Sequence, residues 1–263
     1  MPQLQNVREF LDHFAPPILA ESWDNTGLLA GDPVMEVRRV MTCLTITPDT
    51  AAEAIAQQAD LIVSHHPLPF RPLQKLVTET TPGRLVWELL THRIAIYSPH
   101  TSFDSAQHGI NQSLADGLGL VETQPLIVPS DAPPGTGTGR IGRVQPGQSL
   151  RTMADRLKRF LVLPGLQFVG SLEMPIERVA IACGAAGELL TPARNAGCQL
   201  LVLGETNLHT CLEAQATGVA LLLPGHFASE RFAVEDLAER LGAQFSELEV
   251  WASSVERDPL NWF

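Results

Sequence analysis

Four of the eight histidines in this chain lie at or just beyond the ends of apolar segments that have the pattern of β-strands. They are His65, His66, His100 and His226. In open α/β sheets, ligands bind outside the carboxyl ends of the strands, where these imidazoles are expected to lie. A single histidine at a strand end is usually structural, but four of them together favour metal binding.

Two carboxylates follow two of these histidines at the same spacing. Asp104 lies four residues after His100, and Glu230 lies four residues after His226. On a helix, residues four apart share a face, so His226 and Glu230 can point toward one ion if a helix begins near Gly225. At His100 and Asp104, Pro99 and Ser102 instead suggest a loop. Either carboxylate alone is also typical of the first turn of a helix, where it interacts favourably with the macrodipole.

Five side chains are therefore candidate metal ligands: His65, His66, Asp104, His226 and Glu230. One four-coordinate ion uses at most four protein ligands, so five ligands fit two neighbouring ions better than one. Neighbouring side chains on a strand point to opposite faces, so His65 and His66 are expected to serve different ions where Pro67 ends the strand. Imidazole mixed with carboxylate suits Zn, Fe, Mn, Co or Ni, and the sequence does not select among these metals.

Two metal ions roughly 3.5–4 Å apart typically activate a water molecule and polarise the group that it attacks. This predicts a hydrolase that acts on a small-molecule substrate, which the sequence does not identify. His100, Glu205 and His209 are candidates for proton transfer or for a place behind the ligands. A surface loop with a helix-capping role is an equally good interpretation of GETNLHT, residues 204–210.

A second hypothesis assigns no enzymatic activity to the chain. The same ligands would suit a carrier, an insertase or a storage protein for a transition metal. Transfer of metal to an acceptor protein, without turnover of nucleotides or esters, would distinguish this function from hydrolysis.

Composition argues against several other classes of protein. The chain has 263 residues and a net charge of −11, without a Lys/Arg cluster, which argues against a nucleic-acid partner. We expect no membrane partner, because no apolar run approaches the ~18 residues of a transmembrane helix. The first residues lack the layout of a secretory signal, and the scattered cysteines suit buried thiols, so a cytoplasmic location is expected. Signatures of P-loop, dinucleotide-binding and nucleophile-elbow proteins are missing.

Apolar strands alternate with helical segments along most of the sequence. Strands are predicted at 37–47, 60–66, 93–100, 178–184 and 199–205, and helices at 7–19, 48–59, 85–91, 102–120 and 149–161. This alternation predicts an α/β fold with mixed or mostly parallel sheets. The Gly- and Pro-rich segment 129–148 is the best candidate for a linker.

The two halves of the chain share a pattern that indicates an internal duplication. DLIVSHH and QLLVLGE each follow a helix, and the later segments RIAIYSPHTSFD and VALLLPGHFASE are each followed by one. Aligning His100 with His226 also aligns Asp104 with Glu230. We therefore expect a first domain at 1–125 with 224–263, and a second domain at 126–223.

Several motifs occur together in one order: SWDNTGLLAGD, LIVSHHPLPFRPL, IYSPHTSFDSAQHGINQSLA, VAIACGAAGELL, GETNLHT and GHFASE. By these motifs the chain resembles the Nif-three-like family, whose bacterial members are often labelled GTP cyclohydrolase I type 2 homologues. The resemblance runs from about Val7 to the C-terminus. It implies two intertwined α/β units related by duplication, a dinuclear metal centre and a homohexameric ring.

The resemblance also implies which ligands share an ion. His66 and Asp104 would hold one ion, His65 and His226 the other, and Glu230 would bridge both. The family label makes a purine nucleotide the first substrate to test. The chain departs from the family pattern in having Glu205 for an aspartate, CGAAG at 183–187 for a Gly-Gly-Ala-Gly run, and no PII-like insert. These departures leave the ligands intact and concern substrate contacts in the second half.

Overall fold

Apolar strands alternate with helices and form two sheets, which confirms the α/β fold expected from the sequence. The structure is a computed structural model that describes residues 1–261. It divides into a first unit, Met1–Phe103 with the segment that begins at Ala233, and a second unit, Asp104–Phe232. The sequence-based division instead placed the second domain at 126–223.

The elements follow one another in chain order. The first are α1 (Leu4–Phe14), β1 (Gly27–Ala30), β2 (Arg39–Cys43), α2 (Pro48–Ala56), β3 (Leu61–Ser64), α3 (Thr81–Thr91), β4 (Ala95–Ser98) and α4 (His100–Ser105). Next come α5 (Ile110–Gly117), β5 (Val121–Gln124), β6 (Arg140–Ser149), α6 (Leu150–Phe160), β7 (Gln167–Val169), β8 (Pro175–Ala185) and α7 (Leu190–Asn195). The last are β9 (Leu200–Glu205), α8 (Leu208–Thr217), β10 (Ala220–Leu223), α9 (His226–Arg231), α10 (Ala233–Gln244) and β11 (Glu249–Ala252).

The sheet of the first unit has the order β1-β4-β3-β2-β11. All its neighbours are parallel except β1 and β4, which are antiparallel. Strand β3 is buried along its whole length, which explains why LIVS is continuously apolar. Beyond Ser64 the backbone stays hydrogen-bonded to the chain at the end of β2, since His65 N–H donates to the carbonyl group of Cys43 and His66 N–H donates to that of Leu44. Both histidines therefore start from a fixed backbone.

The sheet of the second unit has the order β5-β6-β8-β9-β10-β7. Its centre, β8-β9-β10, is parallel, and the outer strands are antiparallel to their neighbours. A core of small and branched apolar side chains covers this sheet. Leu201, Leu203 and Leu221 are fully buried within it.

The two units repeat one order of elements. In the first unit β1 pairs antiparallel with β4, and in the second β7 pairs antiparallel with β10. Along the chain, β1 is followed by the parallel strands β2, β3 and β4, and β7 is followed by the parallel strands β8, β9 and β10. A short helix then starts at His100 after β4 and at His226 after β10. This repeated topology agrees with the internal duplication expected from the sequence.

The predicted linker at 129–148 is wrong in its second part. Residues from Arg140 onward form β6, which pairs with β8. The Arg140 side chain is fully buried and donates hydrogen bonds to the carbonyl groups of Gly137 and Gly139. Both glycines have positive φ, so the glycine content of this segment serves the turn that precedes a core strand.

One predicted helix differs from the structure, and another is confirmed. The helix expected at 102–120 is interrupted between α4 and α5, where Gly109 precedes the first residue of α5. The helix expected at 149–161 is confirmed as α6, and the Ser149 side chain accepts a hydrogen bond from Thr152 N–H as its cap. The longest described helix, α10, has 12 residues, and none of the described helices could span a membrane.

Candidate metal-binding site

Three histidines of the first unit lie together where β3 and β4 end. The ring of His65 lies 5.1 Å from that of His66 and 5.2 Å from that of His100, and the rings of His66 and His100 are 5.6 Å apart, between centroids. One ring nitrogen of each lies within 4.8 Å of the others. His65 and His100 are buried. This group could hold a metal ion, as expected for His65 and His66.

A threonine orients the His66 ring from behind. Thr45 Oγ1 lies 2.7 Å from His66 Nδ1. With Nδ1 engaged by the hydroxyl group, Nε2 is the nitrogen that can bind a metal ion. Ligating histidines usually have such a partner on the second ring nitrogen, which fixes the orientation of the ring.

A buried aspartate occupies the corresponding place behind His100. The Asp24 carboxylate lies 2.7 Å from His100 Nδ1, and its side chain is 1% exposed. Burial would raise the pKa of Asp24, but hydrogen bonds from His100 and Thr101 outweigh burial and lower it. Asp24 was not predicted as a site residue. Its motif, SWDNTGLLAGD, gave only the signal of a turn.

In the second unit, His226 and Glu230 lie on one face of α9 as expected from their spacing. His226 Nε2 is 3.2 Å from Glu230 Oε2, and His226 Nδ1 is 2.9 Å from Glu205 Oε1. The hydrogen bond with Glu230, together with Glu205, raises the pKa of His226 to about 9 despite burial. Without metal the ring is therefore protonated at neutral pH, and an ion binding at Nε2 must displace a proton.

Backbone glycines make room for the Glu230 carboxylate. Gly184 has a φ of +63°, and a Cβ atom there would lie 2.4 Å from Glu230 Oε1. Ser229 Oγ accepts a hydrogen bond from Gly184 N–H, and a Cβ at Gly204 would lie 2.6 Å from that oxygen. Glu230 itself is 3% exposed. The close approach of α9 to β8 and β9 explains a glycine in each of the CGAAG and GETNLHT motifs.

Asp104 contacts a cysteine, Cys183, that no motif or spacing in the sequence links to the predicted ligands. Cys183 Sγ lies 3.0 Å from Asp104 Oδ1, and Cys183 N–H donates to Asn111 Oδ1. Burial, followed by the negative charges of Asp104 and Glu230, raises the pKa of the Cys183 thiol well above its usual value. The thiol therefore stays protonated and donates its hydrogen to Asp104, which orients this carboxylate.

Glu205 and His209, the two second-half candidates for proton transfer or for a place behind the ligands, have different surroundings. Glu205 contacts His226, so it lies behind a predicted ligand, as one of its expected roles requires. His209 lies exposed on α8, and among the described residues no hydrogen bond, ion pair or ring contact joins it to His226. Asn207 caps α8 by accepting a hydrogen bond from Thr210 N–H, so the helix-capping interpretation of GETNLHT holds for Asn207.

An open cleft of about 690 Å³ in the second unit borders Glu205. Glu188 and Glu213 also line it, together with the hydroxyl groups of Thr206 and Thr210, and none of its lining residues is lysine or arginine. Carboxylates and hydroxyl groups suit cationic or hydroxyl-bearing molecules and repel polyphosphates.

The fold and these side chains together indicate the class of protein to which the chain belongs. The chain is an α/β protein of two repeated units, in which histidines and carboxylates at the ends of parallel strands could bind metal. Comparison with known proteins narrows this class to one family.

The sequence model of the Duf34/NIF3 (NGG1p interacting factor 3) family matches residues 2–259, so the chain belongs to the DUF34/NIF3 family. It is 34% identical over 234 residues to a GTP cyclohydrolase 1 type 2 homolog of Streptomyces coelicolor, covering 88% of this chain and 82% of that protein. It is 30% identical to the NIF3-like protein 1 of Rattus norvegicus, covering 98% and 92%. The crystal structure of a Bacillus cereus protein related to NIF3 has the same fold, with a TM-score of 0.90, 22% identity and coverage of 100% and 99%.

Proposed function

We propose that this protein is a hydrolase that depends on two divalent transition-metal ions. In this proposal His66 and Asp104 would hold one ion, His65 and His226 would hold the other, and Glu230 would be a ligand of both. The assignment follows the ligand set that the family resemblance implies. All five side chains are of types that bind Zn, Fe, Mn, Co or Ni.

One observation supports metal binding most strongly. His66 and His226 each have Nδ1 engaged by a side chain behind the ring, Thr45 in one unit and Glu205 in the other. Both rings therefore direct Nε2 away from that partner, as ligating histidines do. The recess beside Gly184 also supports metal binding, because it holds the Glu230 carboxylate in a fixed position.

Bound metal ions would supply a water molecule of lowered pKa and would polarise the substrate. The side chains of the protein would hold and orient the groups around the ions. Asp24 holds Nδ1 of His100, which orients this ring within the group of three histidines. Glu205 holds the ring of His226 in place, and Cys183 orients Asp104.

We propose a small substrate with a nucleobase-like or sugar-like part. The names of the relatives make GTP the first molecule to test. The carboxylates of Glu188, Glu205 and Glu213 would repel a triphosphate chain, so the cleft beside Glu205 suits the base or the sugar. Guanosine and GTP should therefore be tested side by side.

The experiment compares His66→Ala and Glu230→Ala with His13→Ala, which changes an exposed histidine of α1. We expect the first two variants to lose bound metal and turnover together, whereas His13→Ala keeps both. Turnover would be screened on nucleosides, nucleotides and esters. Full activity in metal-free His66→Ala protein would contradict the proposal.

A metal carrier is the second candidate, and the exposure of the site favours it. The side chain of His226 is 35% exposed and that of Glu205 is 53% exposed, so an ion held by His226 would be open to exchange. A carrier would transfer metal to an acceptor protein and show no turnover in the same screen. Loss of metal in His66→Ala without any activity to lose would favour this function.

A further inference from the structure

Asp24 is a buried carboxylate whose oxygens are fully used. Oδ1 accepts hydrogen bonds from His100 Nδ1–H at 2.7 Å and from Asn25 N–H at 2.7 Å. Oδ2 accepts from Thr101 N–H at 3.1 Å and from the Thr101 hydroxyl group. A carboxylate held by four donors is rigid, and it can hold its partners rigidly in turn.

The backbone of His100 is strained where Asp24 holds it. His100 has a φ of +30°, which is unusual for a residue other than glycine and is strained. Asp24 binds both the His100 ring and the N–H group of the next residue, Thr101. Such strain persists only where the surroundings fix it, and it is concentrated at functional sites.

The contact with Asp24 decides which ring nitrogen carries the proton. An ionised carboxylate accepts hydrogen bonds and donates none, so the His100 nitrogen that faces it must be Nδ1–H. In the neutral ring Nε2 is then unprotonated. Because Nδ1 is engaged by Asp24, Nε2 is the nitrogen that could bind a metal ion together with His65 and His66. The rings of these two residues lie 5.2 and 5.6 Å from that of His100, between centroids.

We propose that Asp24 is a positioning residue that fixes His100 in the Nδ1–H tautomer and turns an unprotonated Nε2 toward the His65–His66 pair. His100 thereby becomes a third imidazole of this group, outside the five ligands that the resemblance implies. His66 has a comparable partner in Thr45, and His226 has one in Glu205. The part of the proposal that concerns the tautomer does not depend on the proposed hydrolase function.

The wild-type protein gives the first test. With 15N-labelled histidine in the full-length, metal-stripped chain, NMR should show neutral His100 protonated on Nδ1 and unprotonated on Nε2. The His100→Gln variant assigns the signal. A wild-type ring protonated on Nε2 and bare on Nδ1 would overturn the proposal without the need for a variant at Asp24.

Asp24→Asn gives the second test. The amide keeps the volume of the side chain but has one oxygen for four donors, two of which are backbone N–H groups. Among the donors, the His100 ring can adapt by moving its proton to Nε2. We expect the Nε2–H tautomer to gain population and the affinity for Zn²⁺ to fall roughly 10–100-fold, as when a group behind a ligand is lost.

Asp12→Asn is the matched control, because Asp12 also accepts a partly buried hydrogen bond in the first unit, from the Tyr97 hydroxyl group at 2.6 Å. It should leave the His100 tautomer and the affinity for Zn²⁺ unchanged. An unchanged tautomer in Asp24→Asn would overturn the positioning role. Should wild-type protein bind no Zn²⁺ while Asp24→Asn still shifts the tautomer, the proposed metal-dependent function fails and the positioning role stands.

Discussion

At the scale of single residues, three of the five predicted ligands have a partner that orients them. Thr45 lies behind His66, Glu205 behind His226, and Cys183 beside Asp104. These candidate ligands could be proposed from histidines at strand ends and from the repeated spacing of four. Their partners could not, because Cys183 and Asp104 are 79 residues apart and meet only through the fold.

Cys183 gives a prediction at this scale. In Cys183→Ala the Asp104 carboxylate loses a hydrogen-bond donor, and we expect the affinity for Zn²⁺ to fall by roughly tenfold. Cys183→Ser restores a donor and should recover part of this loss. Isothermal titration calorimetry measures both.

Cys198→Ala is the control, since Cys198 is a buried thiol packed in the core of the same unit. It should lower stability and leave the affinity for Zn²⁺ as in the wild type. Equal affinities in Cys183→Ala and Cys198→Ala would show that the thiol does not orient Asp104.

At the scale of elements, the site depends on how closely α9 packs on β8 and β9. A Cβ at Gly184 would meet the Glu230 carboxylate, so Gly184→Ala should displace Glu230 and weaken metal binding. Because φ is positive there, the variant should also lose more than about 1 kcal/mol of unfolding free energy. Metal content and thermal unfolding test both effects.

Gly197→Ala is matched in backbone strain, since Gly197 has a φ of +77° and a Cβ there would meet nothing within 4 Å. It should lose stability and keep its metal. If both variants retained metal equally, the recess at Gly184 would have no part in the site.

The elements themselves were partly predictable. Buried strands such as β3 and β9 have continuous apolar runs, and Ser149 marks the start of α6. Strand β6 was missed because it begins among glycines and contains a buried arginine, Arg140, and both features are typical of loops. Buried Arg140 donates its hydrogen bonds to carbonyl groups that the fold holds in place, and local composition does not reveal these acceptors.

At the scale of the whole molecule, the chain returns to the first unit after completing the second. Glu53 of α2 accepts hydrogen bonds from the Ser253 hydroxyl group at 2.5 Å and from Ser254 N–H at 3.0 Å, which ties the C-terminal segment to α2. Burial would raise the pKa of Glu53, but these hydrogen bonds outweigh burial and lower it. The homohexameric ring implied by the family resemblance stays a prediction.

Glu53→Gln should lower the unfolding free energy at neutral pH by about 1.5–3 kcal/mol, because it removes a charged acceptor. A lowered pKa in the folded state stabilises the protein above the unfolded value, near 4.5, and this contribution is lost as the pH falls through the folded pKa. The difference between wild type and variant should therefore shrink below pH 4.5. Urea unfolding across this range measures it, with exposed Glu9→Gln as control. A difference that grew toward acid pH would contradict the role of Glu53.

The most direct test of the account is the metal content of the protein as purified, measured per chain by elemental analysis together with native mass spectrometry. We expect two divalent transition-metal ions per chain in the wild type and fewer in Glu230→Ala, because Glu230 is proposed as a ligand of both. Wild-type protein that holds no such metal, and takes up none when Zn²⁺, Fe²⁺, Mn²⁺, Co²⁺ or Ni²⁺ is supplied, would contradict it.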